Sequence, residues 1–67
     1  MTVWLCRVGE VNYGYNVVQV VDSKKKAEEW LLGEATYQAV RHELKWANDH
    51  EFERDRIRWY IHEVEVE

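Results

Sequence analysis

The chain has 67 residues and a formal net charge of −4. This length allows one domain, residues 1–67, which buries only roughly 60% of the surface that its unfolded chain exposes. The acidic balance argues against a general affinity for nucleic acid, because such affinity needs a basic surface. The single cysteine, Cys6, cannot form a disulfide within the chain. Together with the lack of a signal-peptide or membrane-spanning pattern, it predicts a cytoplasmic protein.

The first 21 residues predict a β-hairpin. Residues 3–8 and 15–21 are rich in β-branched and aromatic side chains, which are typical of strands. Gly9 and Gly14 bound the segment between them and favour a turn. This connection is longer than the tightest turns, so the sequence leaves the register of the hairpin open.

A long helix is predicted after the hairpin. Residues 22–23 supply N-cap candidates, and helix-forming residues continue from residue 24 to about residue 47, interrupted only by Gly33. The path of residues 48–56 stays open. Either the helix ends at the start of this segment and a further short turn follows, or one continuous helix runs through Arg54.

Residues 57–66 predict the last strand. Its apolar side chains change sides after Ile61, as a β-bulge near residues 62–63 would produce. A right-handed crossover from the second strand to the third places the first strand in the centre. The expected fold class is therefore α+β. It is a ββαβ domain with a three-stranded antiparallel sheet of order 2-1-3 and one long helix packed on one face.

The first strand is apolar on both faces. Val3 and Leu5 point one way, while Trp4, Cys6 and Val8 point the other way. A single helix covers only one face of a sheet. We therefore expect the second face to be covered by the segment after Asn48, by another molecule, or by the stems of arginine, lysine and tyrosine side chains.

The predicted helix carries a stripe of residues at alternating spacings of three and four. These candidate self-association residues are Trp30, Gly33, Tyr37, Val40, Leu44 and Ala47. Such a heptad seam pairs two helices, and Gly33 would allow their close approach. A helix of about 24 residues is about 36 Å long, whereas a strand of about seven residues spans only about 23 Å. The overhanging end indicates either a homodimer or a chain that bends at Gly33 or Asn48 and packs on itself.

The polar residues do not form a recognisable catalytic or metal-binding motif. His42, Asp49, His50 and Glu53 could share one helical face, but they lack the compact spacings of known metal sites. The three glycines form no phosphate-binding loop, and no serine or cysteine nucleophile stands in a recognisable triad. We expect no catalytic, cofactor-binding or metal-binding residues, no cofactor and no enzymatic activity.

Several segments together resemble a known group of proteins. They are residues 3–5 (VWL), 14–18 (GYNVV), Ser23, 26–31 (KAEEWL) and 59–66 (WYIHEVEV). The pattern resembles a set of short uncharacterised proteins common in bacteriophages, particularly those of actinobacteria, and it covers most of the chain except about residues 34–56. The resemblance implies a phage accessory protein of ββαβ fold and transfers no functional residue.

The aromatic content shapes the functional expectation. Four tryptophans and four tyrosines enlarge a small core or anchor a protein interface. We expect a small protein-binding module, such as a phage accessory protein that binds a host or viral protein in the host cytoplasm. The alternative is a structural homodimer; nucleic-acid binding ranks below both, and no membrane partner is expected. The candidate interface residues are Trp4, Tyr13, Tyr15, Trp46 and Trp59, of which Trp46 is the tryptophan expected to be exposed.

Overall fold

The computed structural model describes residues 1–10 and 12–66. Its elements in chain order are β1 (Thr2–Glu10), β2 (Gly14–Val21), α1 (Lys24–Ala39), β3 (Lys45–Asn48), β4 (Glu51–Arg54) and β5 (Ile57–Glu65). The five strands form one antiparallel sheet of order β2-β1-β5-β4-β3, and α1 packs against one of its faces. The predicted α+β class is confirmed.

The prediction of a three-stranded sheet of order 2-1-3 is wrong, because residues 45–54 form two further strands. β2, β1 and β5 are neighbours, and β4 and β3 extend the sheet beyond β5. The two added strands are joined by a tight turn in which the His50 amide donates to Asn48 Oδ1 at 2.8 Å. Phe52 in β4 is fully buried between two charged residues, which is the alternation of a half-buried strand.

α1 is shorter than the predicted helix. The N-cap prediction is confirmed, because the Ser23 hydroxyl accepts from the backbone amide three residues later at 3.2 Å. The helix ends at Ala39 rather than near residue 47, and the Gln38 carbonyl then accepts from the His42 amide in the following turn. With 16 residues, α1 is about 24 Å long and does not need the overhang expected from the sequence.

The β-bulge predicted near residues 62–63 is also wrong. β1 and β5 keep one continuous register from the pair Thr2–Glu65 to the pair Glu10–Ile57. Register shifts lie instead between β1 and β2, where Val18 is the extra residue, and between β3 and β4, where Ala47 is the extra residue. Trp59 and Ile61 point toward α1, whereas Val64 points to the opposite face. Regular alternation along β5 therefore produces this change of sides without a bulge.

The hydrophobic core lies between α1 and the sheet. Its buried members are Trp4, Cys6, Ala27, Leu31, Ala35, Phe52, Trp59 and Ile61. The rings of Phe52 and Trp59 stack with centroids 4.9 Å apart and an angle of 6° between their planes. This stacking ties β4 to β5 beneath the helix. Across the described residues, no helix is long and apolar enough to cross a membrane.

Candidate functional site

The sheet surface opposite α1 is left uncovered by the core packing. Successive strand residues point to opposite faces, so the odd-numbered residues of β1 point away from α1, and cross-strand pairing identifies their neighbours. We call this surface the open face. It consists of Val3, Leu5, Arg7, Gly9, Tyr15, Val17, Val20, Lys45, Asn48, Glu51, Glu53, Arg58, Tyr60, His62 and Val64.

The open face carries an apolar patch that crosses three strands. Leu5 lies at its centre, with Val20 opposite on β2, and Val3 pairs with Val64 across β1 and β5. Val17 and Val20 are 44% and 55% exposed, although both are large apolar residues. The exposed part of the patch lies on β2, whereas Val3, Leu5 and Val64 are half-buried. An exposed apolar patch is typical of an interaction surface.

Two tyrosines lie across the centre of the sheet beside this patch. The Tyr15 and Tyr60 rings meet edge to face, with centroids 5.2 Å apart and an angle of 83°. Gly9 makes this contact possible, because a Cβ there would lie 2.7 Å from Tyr15 Cδ1 and would also collide with the Gly14 carbonyl oxygen. The Tyr15 side chain therefore passes over a strand position that has no side chain of its own and reaches Tyr60 two strands away.

The arginines of the open face have different surroundings. Arg58 is ion-paired, with its Nε 3.1 Å from Glu51 Oε2 and its Nη2 3.4 Å from Glu53 Oε2. By contrast, the Nε atom of Arg7 is enclosed and has no hydrogen-bond partner among the described residues. The Nε2 atom of His62 on the same face is enclosed in the same way.

The five candidate interface residues lie in different parts of the molecule. Trp4 and Trp59 are core residues, with exposed fractions of 9% and 5%. Tyr15 lies on the open face, whereas Tyr13 is in the turn between β1 and β2 and is 83% exposed. Trp46 is 45% exposed at the β3 edge, on the side of the sheet that faces α1. The structure therefore brings only Tyr15 of this set to the open face.

The six candidate self-association residues do not form one helical stripe. Trp30, Gly33 and Tyr37 lie on α1, Val40 is its C-cap, Leu44 lies in the connection to β3, and Ala47 belongs to β3. Trp30 and Leu44 are half-buried against the core. The exposed members near the end of α1 are Tyr37 and Val40. The seam required a helix through residue 47, so its second half loses its geometric basis.

The polar groups outside the open face offer little chemistry. No cluster of three or more His, Cys, Asp or Glu side chains that could hold a metal ion is found in residues 1–10 and 12–66. A surface hollow of about 420 Å³ is lined by both cations and anions, among them Glu43, Lys45 and Arg54. Cys6 is fully buried, and this burial raises the pKa of its thiol, which disfavours the nucleophilic thiolate.

Sequence reasoning did not identify most of the open face. The apolar residues on both faces of β1 did indicate a second apolar face that needs a cover. The alternation that places Arg7, Tyr60 and His62 on that face could have been obtained from the strand pattern. The enclosure of Arg7 Nε could not, because it depends on which side chains surround it in three dimensions.

No protein-family model, curated protein or solved structure matches this chain. The resemblance to bacteriophage proteins therefore stays a prediction.

Proposed function

We propose that this protein is a small non-enzymatic protein-binding module and that the open face is its contact surface. The observation that carries the proposal is the apolar patch around Leu5, Val17 and Val20, on which no element of residues 1–10 and 12–66 packs. Burial of apolar surface contributes about 25 cal/mol per Å², so a partner that covers this patch gains binding free energy. Tyr15 and Tyr60 add large side chains of a type enriched at protein interfaces.

The resemblance to short bacteriophage proteins supports a narrower form of this proposal. In that form the chain is a phage-encoded accessory protein that binds a host or viral protein in the cytoplasm of the host cell. It acts stoichiometrically, by blocking or redirecting its partner. Such a role requires a binding surface and no catalytic group.

A capture experiment with matched surface variants tests the open face. Val20→Lys and Val64→Lys each place a charge on this face, on an edge strand and on an inner strand respectively. Leu32→Lys is the control, because Leu32 is 58% exposed on α1 and Val20 is 55% exposed. Tagged proteins are incubated with bacterial lysate, and retained proteins are quantified by mass spectrometry.

We expect a partner that wild type and Leu32→Lys retain and that both open-face variants lose. Circular dichroism confirms that each variant is folded. Equal retention by Val64→Lys and wild type would contradict the proposal. If only Val20→Lys lost the partner, the contact would be assigned to the β2 edge.

Homodimer formation is a second candidate function, and the edge strand β2 is the observation that favours it. Gly14–Val21 contains neither a charged residue nor a proline, and it lies at the end of the sheet. Edge strands leave backbone donors and acceptors free to pair with another strand, and charged residues or proline normally oppose such pairing. The other edge, β3, has only 4 residues and includes Lys45. Antiparallel pairing of β2 with the β2 strand of a second copy is therefore the form of self-association that this fold favours.

Sedimentation equilibrium over a range of protein concentrations tests this second candidate. We expect a dimer that Val18→Lys dissociates, because Val18 is 54% exposed in β2, while Leu32→Lys leaves it intact. A wild-type protein that stays monomeric at every concentration would exclude a structural homodimer.

A further inference from the structure

Among the described residues, Arg7 is the half-buried cation of the open face that has no acceptor, whereas Lys45 is exposed to water and Arg58 is ion-paired. No hydrogen bond or ion pair satisfies it among the described residues, and its Nε atom is enclosed. The two carboxylates on the same face, Glu51 and Glu53, are both engaged by Arg58. Arg7 therefore has no acceptor of its own on this surface.

The residues around Arg7 make its lack of an acceptor unusual. Its cross-strand partners are Val17 on β2 and Tyr60 on β5, so its neighbours on both sides are apolar or aromatic. An arginine that loses water without gaining an acceptor costs free energy, whereas an arginine that meets a carboxylate regains it. The Nε atom stays covered by the domain itself, but the two terminal nitrogen atoms of Arg7 are not among the enclosed atoms and have no acceptor within residues 1–10 and 12–66, so a partner can supply one to them.

His62 is a second residue of the open face with an enclosed nitrogen atom. It lies opposite Leu5 on β5, which makes it a diagonal neighbour of Arg7, about 7–8 Å away in an antiparallel pair. Its Nε2 atom is also enclosed without a partner. Two diagonal neighbours on the open face therefore each hold an enclosed nitrogen atom without a partner.

We propose that the partner protein places an aspartate or glutamate carboxylate on Arg7, flanked by apolar side chains that pack on the Leu5 and Val20 side of the open face. This inference rests on the proposed protein-binding function and specifies the chemistry of the partner. Arg7 is the anchor because its planar guanidinium group binds a carboxylate through two parallel hydrogen bonds. The apolar residues around it exclude water, which strengthens that ion pair.

Charge balance favours a carboxylate on a protein over the phosphates of a nucleic acid. The strands place three cations on the open face, namely Arg7, Lys45 and Arg58, beside the carboxylates of Glu51 and Glu53. The chain as a whole has a net charge of −4. A nucleic-acid backbone needs several free cations along its path, whereas one acidic side chain needs only one. The open face therefore suits an isolated acid in an apolar segment.

Selection from a displayed library of random 12-residue peptides tests the inference. Peptides selected on the wild-type protein are synthesised with their acidic residue intact and with that residue replaced by its amide, Asp→Asn or Glu→Gln. The dissociation constants of each pair are measured for wild type, Arg7→Gln and Lys45→Gln. Lys45→Gln removes the same unit of charge from an exposed position on the same face, so it separates a local ion pair from the overall field.

We expect the selected peptides to carry an acid between apolar residues. The amide peptide should bind wild type at least about tenfold more weakly, since hydrogen bonds to charged groups contribute about 1.5–3 kcal/mol. Arg7→Gln should bind the two peptides equally, and Lys45→Gln should discriminate between them as wild type does. Circular dichroism and the thermal midpoint show that Arg7→Gln is folded.

The other outcomes separate this inference from the proposed function. Some peptides could bind Val64→Lys more weakly than wild type and yet keep their affinity when their acid is replaced by its amide or when Arg7 is replaced by Gln. This result would overturn the inferred carboxylate and leave protein binding at the open face intact. A selection that enriches no peptide sensitive to Val64→Lys would overturn both. Binding of a 12-nucleotide single-stranded RNA that requires Arg7 would assign the face to nucleic acid and overturn the inference.

Discussion

At the scale of single residues, Gly9 leaves the space that Tyr15 needs to reach Tyr60 on the open face. Tyr15 lies over Gly9 and contacts Tyr60 beyond it, and a Cβ at Gly9 would come within 2.7 Å of the Tyr15 ring. The nearest obstacle, the Gly14 carbonyl oxygen, belongs to the backbone and cannot turn aside as a side chain can. Gly9 is therefore required by close packing.

We predict that Gly9→Ala lowers the free energy of unfolding by about 1–3 kcal/mol, the usual effect of forcing extra atoms into a packed site. Gly33→Ala is the control, because a Cβ at Gly33 meets open space on α1 and alanine favours a helix by about 1 kcal/mol. Urea unfolding followed by tryptophan fluorescence measures both. A Gly9→Ala protein as stable as Gly33→Ala would show that Tyr15 does not need this gap.

Cys6 is expected to react only when the fold opens. Its side chain is fully buried under α1, and burial raises the pKa of its thiol, so both access and ionisation disfavour attack. We predict that labelling by a disulfide reagent at about pH 8 is slow in the native protein and accelerates with urea in parallel with unfolding. The unfolded protein supplies the reference rate. Native labelling at that reference rate would place the thiol outside the core.

At the scale of elements, the hairpin formed by β3 and β4 is held by one aromatic residue. Phe52 is fully buried; it stacks on Trp59 and contacts the Trp46 ring at a centroid distance of 5.0 Å. Trp46 remains 45% exposed. The hairpin therefore depends much more on Phe52 than on Trp46.

We predict that Phe52→Ala costs about 3–5 kcal/mol, comparable with the whole stability of a domain of this size. The variant should be largely unfolded by circular dichroism at 25 °C. Trp46→Ala should stay folded and lose roughly 1–2 kcal/mol. If Trp46→Ala also unfolded the domain, the expectation that this tryptophan is peripheral would be wrong.

The same hairpin shows where prediction from sequence failed. Good helix formers, namely Lys45, Ala47, Glu51, Glu53 and Arg54, make up half of residues 45–54, so local preference left a continuous helix through Arg54 open. The strands form because Phe52 pairs with Trp59 across the β4–β5 hairpin and both side chains are buried in the core, a gain from tertiary packing that outweighs helix propensity. The predicted N-cap at Ser23 was correct because capping is a local interaction.

The open face was predictable only in outline. Apolar residues on both sides of β1 indicated that a second face needs a cover, and that surface is present opposite α1. The particular anchors were not predictable, because exposure of a tryptophan depends on tertiary packing. Trp4 and Trp59 became core residues, while Leu5 and Arg7 came to lie on the open face.

At the scale of the whole molecule, the helix covers only one face of the sheet. α1 and the side of the sheet beneath it form the core, and the open face leaves part of its apolar area in contact with water, chiefly at Val17 and Val20. A chain this short gains only a small margin of stability from one core. Covering the open face with a partner therefore stabilises the fold as well as the complex, because a partner that binds only the native state shifts the folding equilibrium.

The margin of stability is also sensitive to acid. A hydrogen bond from Lys26 lowers the pKa of Asp22, and one from the Thr2 hydroxyl at 2.7 Å lowers the pKa of Glu65. A carboxyl whose pKa is lower in the folded state stabilises the fold above its unfolded value, about 4, and loses this effect as the pH falls through the folded value. Protonation of either carboxylate below about pH 4 should therefore remove a stabilising interaction from the folded state.

We predict that the urea concentration at the unfolding midpoint of wild type decreases as the pH is lowered from about 6 to about 2.5. The midpoint of the double variant Asp22→Asn, Glu65→Gln should decrease less over this range. The variant should be less stable than wild type at pH 6, because it lacks both charged interactions. Both carboxylates are exposed, so the difference is small and needs parallel titrations of the two proteins. The same pH dependence in both proteins would show that other carboxyl groups control acid unfolding.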